Sequence, residues 1–95
     1  MNRTLVWDKG FLRAFKQMTR RNPHLRERAL LTLELLSQDP FHRALDTHKL
    51  KGILEGLWAC SIDYDYRIVF ELVDDNRSGK EVILLIDIGT HDEVY

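Results

Sequence analysis

Cysteine is nearly absent from this chain of 95 residues: Cys60 stands alone, so no internal disulfide can form, and a reducing, cytoplasmic setting is expected. With two prolines and five glycines, the composition is neither collagen-like nor low-complexity. No apolar run reaches the roughly 18 residues that a membrane helix needs. The first residues, Met1 to Asp8, lack a long apolar segment, so no signal peptide is expected. There is no glycine-rich phosphate loop, no Cys-x-x-Cys and no His-x-x-x-His. The separations of His42, His48, Cys60 and His91 fit no zinc signature, and neither metal nor cofactor is expected. What is present is 44% hydrophobic and 31% charged residues, enough for a folded core but not for two, and residues 1–95 are read as one domain.

The net charge of −1 conceals a division. Residues 1–51 hold 11 Lys and Arg against 5 Asp and Glu, whereas residues 52–95 hold 3 against 10. Such asymmetry suits a chain that offers one basic face to a polyanion. Two helices with solvated basic surfaces would produce the same count.

Periodicity gives the order of elements. Arg3 to Trp7 is β-prone. Asp8 offers an N-cap, and Phe11, Leu12, Phe15 and Met18 follow at helical spacing, with Arg13, Lys16, Arg20 and Arg21 largely between them. Asn22-Pro23 ends that helix and starts another, whose buried stripe is Leu25, Ala29, Leu33 and Leu36, widened by Leu30. Asp39-Pro40 stops it. Thr47 to Gly52 reads as a loop. Leu57–Asp63 and Tyr66–Val73 alternate as strands, and Glu81–Ile88 is apolar almost throughout, as a strand covered on much of both faces would be. The expected fold is α+β in the order β-α-α-β-β-β: a mostly antiparallel four-stranded sheet with a helical hairpin on one face.

Polar residues at strand ends are the functional candidates: His48, Asp65, Arg67, His91 and Tyr95. Asp65 also has a turn-forming explanation, and His24 and His42 read as surface histidines. Arg67 is harder to explain structurally, since it falls inside a strand between Tyr66 and Ile68. Cys60 alternates with Trp58 and Ile62 and reads as core rather than nucleophile. Two histidines, a carboxylate and an arginine suit metal-free RNA cleavage. A base takes the 2′ proton, a cation neutralises the phosphorane, and an acid protonates the 5′ oxygen. Tyr95 could stack on a base.

His48-Lys49-Leu50-Lys51-Gly52, Tyr66-Arg67-Ile68-Val69-Phe70 and Ile86-Asp87-Ile88-Gly89-Thr90-His91 together resemble the RelE/ParE superfamily of bacterial type II toxins. Within it, the chain most resembles the YafQ-like ribosome-dependent mRNA interferases. The resemblance covers the whole chain, although the helices match only in pattern. It implies catalytic roles for His48, Asp65, Arg67 and His91, with Arg67 on the phosphate, and an RNA-facing aromatic at Tyr95. Lys49, Lys51 and the helix arginines would bind RNA. The implied partners are a cognate antitoxin, mRNA and ribosomal RNA. Two departures stand out: Ser61 replaces a histidine of the YafQ branch, and the strand lysines of RelE are missing around Trp58 and Cys60. The alternative on the same fold is a ParE-like, non-enzymatic DNA gyrase inhibitor, which needs no histidine set.

Overall fold

The computed structural model describes residues 2–95. Strand β1 (Thr4–Trp7) leads into helices α1 (Lys9–Thr19) and α2 (Pro23–Gln38). Strands β2 (His48–Lys49), β3 (Trp58–Ser61), β4 (Tyr66–Asp75) and β5 (Lys80–Thr90) follow, and a one-turn helix α3 (His91–Val94) closes the chain. Two 3₁₀ turns, Arg43–Leu45 and Gly52–Leu54, flank β2.

The capping residues act as their chemistry dictates. The Asp8 carboxylate accepts from the Gly10 N–H at 3.1 Å, and the Asn22 side chain accepts from the Leu25 N–H at 3.0 Å. Pro23 occupies the first position of α2, where a missing N–H costs nothing. Phe11 and Phe15 of α1 are buried, as are Leu25, Ala29, Leu33 and Leu36 of α2. Leu30 does not join them: it is exposed, and Thr32 fills the stripe instead. The Thr32 hydroxyl can be buried because it donates to the Arg28 carbonyl at 2.8 Å.

The sheet has the order β1-β5-β4-β3-β2, with β1 parallel to β5 and the other pairs antiparallel. It therefore has five strands, not four. His48–Lys49, expected as loop, pairs with Ala59 and Trp58 at the edge. Two residues are too few to alternate, and the pairing is contributed by the partner strand rather than by local preference.

One irregularity sets the faces. Val69 pairs with Asp87 but Phe70 pairs with Leu85, so Ile86 is a bulge residue. The extra residue lets Ile83, Leu85 and Ile88 all enter one core with Ile68 and Phe70, which strict alternation would forbid. It accounts for the unbroken apolar run of β5. That core joins the sheet to α1 and α2, and Trp7 closes it with edge contacts to Phe11 and Phe15 at 5.1 and 5.2 Å. Each fully buried large side chain contributes about 1.5–3 kcal/mol. The opposite face carries Ala59, Ser61, Arg67, Val69, Asp87 and Gly89 by register. His48, opposite Ala59, lies at its edge.

Candidate functional site

The β3–β4 hairpin is built around Asp63. Its Oδ1 accepts from the backbone N–H groups of Asp65 at 2.9 Å and Tyr66 at 3.0 Å. Its carbonyl accepts from Arg67 Nη1 at 2.6 Å, and Arg67 also donates to the Tyr66 carbonyl at 3.1 Å. Behind the hairpin, Arg28 of α2 donates to the Ile62 carbonyl at 3.3 Å and approaches the Asp63 carboxylate to 4.0 Å. The guanidinium of Arg67 is thus aimed by two carbonyls, which keep its cationic face oriented without neutralising it. The Asp65 carboxylate makes no hydrogen bond to the described residues and is exposed.

Helix α3 approaches from the other side. Thr90 and Glu93 form a reciprocal cap, the Thr90 N–H donating to Glu93 Oε1 at 2.9 Å and the Glu93 N–H to Thr90 Oγ1 at 3.3 Å. These bonds hold the Glu93 carboxyl below its ordinary value of 4.5. The His91 N–H donates to the Asp65 carbonyl at 3.1 Å, tying the helix start to the hairpin. Gly89 lies beneath: a Cβ there would stand 3.2 Å from the Glu93 Cβ. The sequence pattern places these residues only beyond the last strand, and the structure makes them a helix. The sequence signal for the helix is Thr90-His91-Asp92-Glu93, a capping box.

These elements enclose an open cleft of about 430 Å³ lined by Tyr64, Asp65, Tyr66, Arg67, Thr90, His91 and Asp92. Asp65 and Arg67, from the hairpin, and His91, from the start of α3, meet there. His48 adjoins through Tyr95, whose ring lies edge-on to His91 at 4.5 Å and to His48 at 6.5 Å. His48 Nδ1 lies 3.0 Å from the Asp46 carbonyl, which accepts only, so the proton is on Nδ1. The other ring nitrogen, Nε2, lies 3.4 Å from the Tyr95 hydroxyl. Partial burial raises the Tyr95 hydroxyl above its ordinary value, with the nearby Arg67 charge opposing the rise. Asp46 takes a left-handed conformation, φ 49°, as it presents that carbonyl.

Lys49 and Lys51 lie elsewhere. They line a cleft of about 620 Å³ with Leu50, Leu57 and Trp58, and Lys49 Nζ sits 5.4 Å from the Trp58 ring. Ser61 lies opposite Arg67 in the register, on the site's face. Cys60 is fully buried, and desolvation pushes its thiol up to about 12. Among the described residues, no three His, Cys, Asp or Glu side chains cluster as a metal site would require. Alternation alone places Asp63 at the end of a strand. Its place before Tyr64-Asp65 in a tight hairpin is the signal, because an aspartate there caps the turn.

A five-stranded mixed sheet, a helical hairpin on one face and a polar cleft on the other define a RelE/ParE-type toxin fold. A YoeB/ParE toxin from Agrobacterium tumefaciens superposes with a TM-score of 0.76 at 19% identity, over 93% of this chain and 98% of that one. YafQ from Escherichia coli in its mutant form gives 0.73 at 17%, over 98% of each chain. The E. coli DinJ–YafQ complex gives 0.70 at 18%, again over 98% of each chain. No curated protein matched in sequence. The family described as "Bacterial toxin of type II toxin-antitoxin system, YafQ" matches residues 3–95, and the chain belongs to it.

Proposed function

We propose that this toxin is a metal-independent endoribonuclease that cuts mRNA in the ribosomal A site and is silenced by a cognate antitoxin in the cytoplasm. The observation that carries the reading is the meeting of Asp65, Arg67 and His91 in one cleft, with His48 adjoining through Tyr95. A base accepts the 2′ proton as the 2′ oxygen bonds to phosphorus. The P–O5′ bond then breaks as an acid protonates the 5′ oxygen, leaving a 2′,3′-cyclic phosphate and a 5′ hydroxyl. Residues His48, through Nε2, and His91 serve as the acid–base pair. Asp65 is a second base candidate, and Arg67 stabilises the phosphorane. Lys49, Lys51 and the basic surface of α1 supply contacts to ribosomal RNA. An antitoxin partner is supported by the solved DinJ–YafQ complex and by the YoeB–YefM complex of Staphylococcus aureus.

The test is to express the chain without antitoxin and map mRNA 5′ ends on ribosomes. Breaks in the A site are expected for the wild type and not for His91→Ala, which still folds and binds antitoxin. A His91→Ala chain that cuts as before overturns the assignment. A DNA-damage response without mRNA breaks selects the gyrase inhibitor instead.

A further inference from the structure

Tyr64 has no established task in this cleft and an unusual position for an aromatic side chain. It is 91% exposed at the hairpin between β3 and β4, yet it lines the same cleft as Asp65, Arg67 and His91. The hairpin beneath it is held by the Asp63 carboxylate, by Arg67 against the Asp63 carbonyl and by Arg28 against the Ile62 carbonyl. Its backbone position is therefore well fixed, while among the described residues its ring pairs with no other aromatic ring. Leaving a large apolar ring in water forgoes its burial, and nothing in the turn requires an aromatic there. The neighbours narrow the ligand. An arginine with an open cationic face, a carboxylate and an imidazole lie alongside, which suits a phosphodiester with a base beside it. Base–aromatic stacking is tolerant of sequence but stronger for larger rings.

We infer that Tyr64 is a specificity-determining stacking platform for a nucleobase adjoining the attacked phosphate, favouring purines. The inference rests on the RNA-cleavage reading above. Stacking forms before the transition state as well as in it, so its loss appears mainly in KM.

The experiment compares the purified wild type with Tyr64→Ala, Tyr64→Phe and Tyr64→Trp on ribosome-bound mRNAs that differ only in purine or pyrimidine beside the cut, with His91→Ala as the inactive control. Tyr64→Ala is expected to lose about tenfold in kcat/KM on the purine message, through KM, and to cut both messages alike. The aromatic variants are expected to retain rate and preference. A Tyr64→Ala chain with unchanged rate and preference overturns the stacking role while leaving the nuclease reading intact. Failure of Tyr64→Phe to rescue overturns it as well, because the hydroxyl rather than the ring would then be at work. Weakened antitoxin binding with unaltered cutting assigns Tyr64 to a protein interface and overturns it. A wild type that cuts neither message overturns both.

Discussion

Asp63 shows how one short side chain can organise a cleft that it does not line. It accepts two backbone N–H groups of the hairpin, faces Arg28, and its carbonyl orients Arg67. Asp63→Ala should lower stability by about 1–2 kcal/mol in urea titration and reduce toxicity, since the hairpin N–H groups lose their acceptor. Asp63→Asn, which keeps an acceptor oxygen, should restore most of both. Cys60 presents the opposite case, a reactive group rendered inert. Burial outweighs the favourable Arg67 charge, so the thiol keeps its proton to about 12. It should resist a thiol reagent such as Ellman's at pH 8 in the native protein and react at once in denaturant. Rapid native labelling would contradict the packing.

At the scale of elements, α3 is too short to persist alone and depends on its cap. Glu93 is bound as a carboxylate, and its folded pKa lies below the ordinary 4.5. The sign follows: its contribution is complete above the unfolded value and is lost as pH falls through the depressed folded one. Mild acid should therefore release α3 first, before the sheet melts. The Thr90 and His91 amide resonances would report it by shifting before those of β4. Gly89→Ala should act on the same contact at neutral pH. The added methyl would stand 3.2 Å from the Glu93 Cβ, so α3 must give by a few tenths of an ångström, which loosens its cap. Thermal unfolding measures the loss, and weakened contact between the His91 and Tyr95 rings in NMR locates it.

Taken whole, the molecule has almost no net charge, yet α1 carries Lys9, Arg13 and Lys16 with no acidic residue among them. Among the Lys and Arg side chains of the described residues, only Arg3 and Arg28 meet a carboxylate within 4.0 Å. Arg13 and Lys16 are exposed along α1, and Arg20 just past its end. If they contact RNA phosphates, ribosome association weakens with salt, and replacing the three by Ala should flatten the log–log slope by about 2 to 3. An unchanged slope in co-sedimentation would remove α1 from the interface. Much of this protein was legible in the linear chain. The caps at Asp8 and Asn22, the stripe through Leu25 and Leu36 and the alternation of β4 are local, set by periods that residues carry with them. Local pattern likewise singled out Arg67 as an arginine inside a strand. It could not yield β2, whose two residues pair only because β3 presents an edge, nor the bulge at Ile86, which exists only against Phe70. The sequence by itself determined the two long helices, four of the five strands and the residue types of the site. Only the tertiary structure decided that Tyr64, Asp65, Arg67 and His91 share one cleft while Lys49 and Lys51 line another. Proximity between distant residues depends on register, and register is a property of the assembled sheet, not of any one strand.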